Sequence, residues 1–181
     1  PGELDPAIHI VDVDNARAAR LAVEHLIDRG RRRIATIAGP ATTWAGRERL
    51  SAWRSTLESA GLEPVGSEEG DYTPVSGAAA AQRFLDSSLS FDALFVASAQ
   101  MASGALGVLT SAGVRVPEDV AIATVDNNSF STGTNPMLTT VDLHTAQKGA
   151  AMVDAMIRLI AGEDVDTEID IPVDLIVRAS S

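Results

Sequence analysis

The chain contains no cysteine, which excludes a thiolate nucleophile, an iron–sulfur cluster, a thiolate zinc site and a disulfide framework. A reducing cytoplasm is the compartment such a composition suits. No apolar run approaches the roughly 18–20 residues a membrane helix needs, so no membrane partner is expected. Positive charge is scarce: 14 Lys and Arg stand against 25 Asp and Glu, a formal charge of -11. Binding to a phosphate backbone depends on neutralisation by Lys and Arg, so these residues are not expected to grip nucleic acid themselves. The chain opens at Pro1 with no Met and no charged-then-apolar leader, from which it is expected to be a piece of something longer.

Catalytic signatures are missing as well. There is no HExxH, no GxSxG elbow, no GxxxxGK phosphate loop and no GxGxxG. The three histidines, His9, His25 and His144, stand alone, and His25 falls on the apolar stripe of a predicted helix, where a packed structural role is expected. Glu68, Glu69 and Asp71 come nearest to a metal cluster, but a run of acids in a loop reads as a solvated face. Asp126 has the chemistry of a base, yet no nucleophile pairs with it. The expectation is therefore no catalysis, no metal and no cofactor.

What is present is alternation. Aromatics make up only 4% of the chain, but hydrophobic residues make up 45%, much of it Ala, whose small side chain lets helices lie close to a sheet. Runs rich in Val and Ile fall at 8–13, 33–38, 92–97, 119–125 and 169–177, with a weaker one near 62–65. Helical patterns lie between most of them. Ala18, Leu21, Ala22 and Leu26 follow Asp14, a candidate N-cap, and precede Gly30, a candidate C-cap. Leu50, Trp53 and Leu57 precede Gly61, and Met101, Ala105, Val108 and Leu109 precede Gly113. Strand, helix, cap glycine, strand is the grammar of parallel βαβ units, which gives an α/β fold with a parallel sheet flanked by helices. With 181 residues, the chain holds one domain, or one and part of another.

The segment 144–161 differs. One apolar row runs Ala150, Val153, Ile157, Ile160 and a second runs Gly149, Met152, Met156, Leu159. A stripe this wide wants cover on more than one side. Two readings stay open at this point: a central helix on the face of the sheet, or a face meant for protein outside these residues.

The irregular stretches 39–46, 66–77 and 126–138 follow predicted strands, and in a doubly wound sheet such loops carry the ligand chemistry. Arg47 and Arg49 lie in the first turns of a helix, opposing its dipole, so each is expected to have a partner. The planar fork of Arg47 suits vicinal hydroxyls or a carboxylate, the alternative being a surface pair with Glu48 or Glu58. Tyr72, the only tyrosine, sits in a loop with Asp71 and Thr73, where its ring could stack on a sugar or pack on its own domain. Asp126 ends the strongest apolar strand, placed to accept from ligand hydroxyls or to serve the turn with Asn127 and Asn128.

Six segments in one order carry a resemblance. DNARAARLAVEHLIDRGRRRIATIAG at 14–39, RERLSAW at 47–53, EGDYTPVSG at 69–77, VPEDVAIATVDN at 116–127, PMLTTV at 136–141 and IPVDLIVR at 171–178 look like the effector-binding core of the LacI/GalR family of bacterial transcription regulators. The resemblance implies two periplasmic-binding-protein-like (type I) subdomains with a sugar, nucleobase or similar effector between them, preceded by a helix-turn-helix headpiece and a hinge helix. On this reading residues 1–181 are a truncated core, with the C-terminal subdomain at 14–136 and 165–181. The segment 139–163 would belong to the otherwise missing N-terminal subdomain. Met152, Val153, Met156, Ile157 and Ile160 would then face a sheet outside these residues, and their exposure should drive association.

Carried over by position, the resemblance makes Arg47 the ligand-hydroxyl arginine, Tyr72 a pocket aromatic and Asp126 the ligand-contacting carboxylate, with Thr43 and Trp44 on the pocket rim. Departures accompany it. The family's Asn-Asp pair after the fourth strand reads Ser98-Ala99, its Gly-aromatic before the carboxylate reads Thr124-Val125, and Leu143 and Thr145 replace larger polar or aromatic groups. Ser98 thus takes the position of an Asn that pairs with sugar hydroxyls, which points to a smaller, differently oriented or non-sugar ligand. The implied function is effector sensing in a cytoplasmic, homodimeric DNA-binding regulator, usually a repressor, with operator DNA gripped by the headpiece. The alternatives are a periplasmic-type sugar-binding protein, which a leader peptide would support, and a flavodoxin-like α/β enzyme.

Overall fold

The computed structural model describes residues 8–181. In chain order the elements are β1 (Ile10–Val13), α1 (Asn15–Asp28), β2 (Ile34–Ala38), α2 (Trp44–Ser59), β3 (Ser67–Glu69), α3 (Pro74–Asp86) and β4 (Ala93–Val96). They continue with α4 (Ala99–Ser111), β5 (Ala121–Val125), α5 (Ser129–Thr132), β6 (Thr139–Asp142), α6 (Thr145–Ile160), β7 (Glu168–Ile171) and β8 (Asp174–Ile176). The helix ends follow from local chemistry. The Asp14 carboxylate accepts from the Arg17 N–H to start α1, and Gly30 takes φ +87° just past its end.

Six strands form one sheet in the order β3-β2-β4-β5-β6-β8, parallel throughout except for β8, which runs antiparallel to β6. Successive residues of a strand enter opposite cores. Ala93 and Phe95 pack with Ala18, Ala22, Val23, Trp53 and Leu57 under α1 and α2, whereas Leu94 and Val96 pack with Ala80, Phe84, Met101 and Leu109 under α3 and α4. Both faces are covered, which is why these strands read as unbroken apolar runs. The chain begins this sheet at β2 and lays β3 on one side and β4 on the other. That reversal opens a crevice at the strands' carboxyl ends.

A second, smaller pairing of strands shares the α1 side of this core through Val13 and Ile171. β1 and β7 pair in parallel, and α6 packs against them. Sheet membership therefore moves two of the expected boundaries. Residues 139–142 belong to the six-stranded sheet, and 168–171 belong to the two-stranded one. The apolar run 169–177 is two strands because Pro172, which has no N–H to donate, interrupts the ladder where the chain passes from one sheet to the other. The weak strand expected near 62–65 falls instead at 67–69, an edge strand of sequence Ser-Glu-Glu.

The breadth of the apolar stripe on α6 is real. Among its residues only Ala155 is buried, while Met152, Val153, Met156, Ile157, Leu159 and Ile160 are exposed, Ile160 to 81%. No helix among the described residues is long and apolar enough to cross a membrane.

Candidate functional site

Asn15, Thr43, Tyr72, Ser98, Asp126 and Leu143 lie in the segments that follow β1, β2, β3, β4, β5 and β6. Arg49, on the second turn of α2, is the charged group at the floor of the crevice. Its side chain is only 6% exposed. The guanidinium donates from Nε and Nη2 to Asn15 Oδ1, at 3.1 and 2.8 Å, and from Nη1 to the Ala97 carbonyl at 2.6 Å. Of its five N–H donors three are engaged by protein, and two remain for a ligand.

Asp126 complements it. The residue is half-buried, and its carboxylate makes no hydrogen bond to any described residue. Burial pushes its pKa up from the ordinary value, and the Arg49 charge opposes that rise. Reciprocally, burial lowers the Arg49 pKa, while the nearness of Asp126, then Tyr72 and Asp12, raises it. A buried cation with free donors beside a carboxylate with free acceptors matches a pair of hydroxyls, each of which donates and accepts.

The backbone is strained at the same edge. Tyr72, Asp126 and His144 are the described non-glycine residues with positive φ, at 69°, 80° and 45°. They directly follow or closely trail β3, β5 and β6. Such conformations cost about 1–3 kcal/mol each and concentrate where side chains are aimed for function.

Thr43, Trp44 and Tyr72 close one side. The Thr43 hydroxyl caps α2 by accepting from Gly46 N–H and donates to the Pro40 carbonyl, so backbone work occupies it. Tyr72 lies over Gly39, where a Cβ would come within 2.2 Å of the phenol oxygen, and that oxygen sits 3.2 Å from Thr43 Oγ1. Trp44 is 61% exposed and lines a recess of about 330 Å³ with Asn15, Arg49, Leu143, Thr145, Asp12, Val13, Ala45 and Lys148.

The structure separates the two arginines of α2. Arg47, the sequence choice for the ligand arginine, is exposed; it donates to the Ala41 carbonyl and lies 5.8 Å from the Trp44 ring centroid. Arg49 takes the buried position instead. The signal in the sequence was helical phase, since Arg49 lies four residues before buried Trp53 and Arg47 does not. Ser98 is buried at the N-cap of α4, where its Oγ accepts from Met101 N–H. Asn15 was missed altogether.

The acids and histidine set aside in the sequence reading have structural partners. Glu68 pairs with Arg83, and Asp71 accepts from the Thr73 N–H and hydroxyl. His25 Nε2 meets Ser181 Oγ at 2.7 Å, at the opposite edge of the sheet. Among the described residues no group of three or more His, Asp or Glu gathers to hold a metal ion. A larger groove of about 410 Å³ lies between α1 and α2, lined by Arg20, Glu24, Ser51 and Ser55, away from the strand ends.

Comparison with known proteins agrees with this fold. The periplasmic binding protein-like domain profile matches residues 23–181. The HTH-type transcriptional regulator CelR of Thermobifida fusca is 40% identical over 167 residues, covering 91% of this chain and 49% of that protein. The solved CelR–cellobiose complex superposes with a TM-score of 0.93 at 38% identity, covering 99% of this chain and 56% of that one. The lac repressor dimer bound to operator and the anti-inducer ONPF gives a TM-score of 0.88 at 32% identity, covering 93% and 51%. The chain spans about half the length of the curated relatives it matches.

Proposed function

The chain belongs to the periplasmic binding protein-like domain family, in the form carried by LacI-type transcription regulators, and we propose that it is the C-terminal part of such a regulator's effector-sensing core. The observation that carries the proposal is the buried Arg49 fork, with two free N–H donors, beside the unpaired Asp126 carboxylate at the reversal of the sheet. It binds a sugar or sugar-like effector and performs no chemistry on it. Cellobiose, held by the CelR relative in its complex, is the first ligand to try.

On this reading the six-stranded sheet is one subdomain, and β1, β7 and α6 are part of the other. Three chain crossings join them, after β1, after β6 and between β7 and β8. At two of these the His144 ring and the Asp174 carboxylate meet at 2.8 Å. The exposed row of Met152, Val153, Met156, Ile157 and Ile160 packs on the rest of that second subdomain, which lies outside these residues.

An effector between the subdomains favours one relative angle over the other by its differential affinity, and the angle sets the spacing of two headpieces in a homodimer on operator DNA. The charge of -11 suits a core that leaves DNA to a separate basic headpiece in the cytoplasm. Full-length protein should retard DNA from upstream of its own gene in a gel-shift assay, and cellobiose or a related sugar should release it. Failure to bind any DNA in its regulatory neighbourhood would remove the regulator reading.

A further inference from the structure

The sequence holds a single lysine against 13 arginines, and that lysine, Lys148, faces the effector recess. It lies on α6, and its Nζ donates to Asp12 Oδ1 on β1 at 2.6 Å. Both residues belong to the small β1–β7–α6 unit, whereas Arg49 and Trp44, which line the same recess, belong to the large sheet. The recess is thus walled by both units, and the wall opposite Arg49 is an ion pair.

Its chemistry is specific. Asp12 Oδ1 takes Lys148 and the Val13 N–H, which leaves Oδ2 unpaired among the described residues, and the ammonium keeps two further N–H donors. One side chain of the pair donates and the other accepts, which is what a hydroxyl requires. The charged residues that line the recess are Asp12, Lys148 and Arg49. Asp12 and Lys148 offset one another. Desolvation raises the Asp12 pKa, but the Lys148 hydrogen bond, the Val13 N–H and the Lys148 and Arg49 charges outweigh it and hold the carboxyl below its ordinary value, so it stays ionised at neutral pH. A phosphorylated or carboxylated ligand would bring a like charge against the free oxygen of Asp12 in a partly desolvated recess.

We infer that Asp12 and Lys148 are specificity-determining residues of the effector site: they read hydroxyls from the second subdomain and restrict the ligand to an uncharged polyol. The inference rests on the effector reading above. Lys148 is part-exposed on a helix surface, so Lys148→Met leaves the fold intact, and an unchanged melting temperature verifies this.

The test is calorimetric titration of full-length protein with neutral mono- and disaccharides, cellobiose included, and with their 6-phosphates, together with amine acylation of Lys148 read by peptide mass spectrometry. The expected result is binding of a neutral sugar, with its 6-phosphate weaker by about tenfold or more, protection of Lys148 from acylation when the sugar is bound, and a loss of about tenfold in Lys148→Met. Asp12→Asn, which removes the carboxylate's negative charge from the recess, should narrow the gap between neutral and phosphorylated sugar. A 6-phosphate that binds as tightly as its neutral parent, or a bound sugar that leaves Lys148 fully reactive, overturns the inference while the effector reading stands. If no saccharide of either charge binds, the effector reading fails and the inference falls with it.

Discussion

Asn15 Oδ1 accepts from both Nε and Nη2 of Arg49, at 3.1 and 2.8 Å, while Asn15 Nδ2 donates to the Val13 carbonyl at 3.3 Å. The amide thereby ties the crossing after β1 to the buried cation of α2, two of whose five N–H donors have no partner among the described residues. Replacing Asn15 by Leu removes the acceptor and leaves a buried charge under-satisfied. Thermal melts should show a loss of about 1–3 kcal/mol, and Asn15→Asp, which keeps the acceptor, should lose less. Equal losses in the two variants would assign Asn15 a packing role only.

Asp126 should make stability depend on pH. Its folded-state pKa is raised by burial, with Arg49 opposing, so the folded protein binds more protons than the unfolded chain between the ordinary value of 3.8 and the raised native value. Stability from this group is therefore full below 3.8 and is lost as pH rises through the native pKa. Asp126→Asn should raise the melting temperature at neutral pH and flatten that part of the profile. A lower melting temperature across the whole range would contradict the assignment.

Two glycines of α4 predict opposite outcomes. A Cβ on Gly104 would lie 1.9 Å from the Pro74 carbonyl oxygen on α3, whereas a Cβ on Gly107 would meet nothing within 4 Å. Gly104→Ala should destabilise the protein by about 1–3 kcal/mol through forced separation of α3 and α4. Gly107→Ala should stabilise it by about 0.5–1 kcal/mol, because helix interiors favour alanine. Denaturant unfolding of the two variants measures both.

The alternation of apolar runs with helical patterns made the large sheet readable, because strands covered on both faces have no polar positions to disguise them. β3 escaped because an edge strand of Ser-Glu-Glu carries no burial signal, and β6 because its Thr139 and Thr140 are buried through hydrogen bonding and not through hydrophobicity. At the proposed site the sequence reading chose Arg47, two residues from the buried cation Arg49. Arg47 and Arg49 share a helix turn and a residue type, and only the phase relative to Trp53 and Leu57 tells which one points inward. Asn15 carried no signal of its own, since an Asn after an N-cap Asp has an ordinary local explanation.

The exposed stripe of α6 should make the 181-residue chain associate. Sedimentation velocity at high micromolar concentration should show a dimer, and Met156→Glu combined with Ile157→Lys should return it to a monomer. A monomeric parent chain would show that this face needs no cover.

The central claim is that the cleft at Arg49 and Asp126 holds the effector. It is tested most directly by titrating full-length wild type, Arg47→Ala and Arg49→Ala with cellobiose, or with whichever neutral sugar binds wild type best. The account predicts that Arg49→Ala weakens binding by about tenfold or more, the loss of a charge-assisted hydrogen bond, while Arg47→Ala stays within about twofold. Unchanged affinity in Arg49→Ala, or a larger loss in Arg47→Ala, would contradict it.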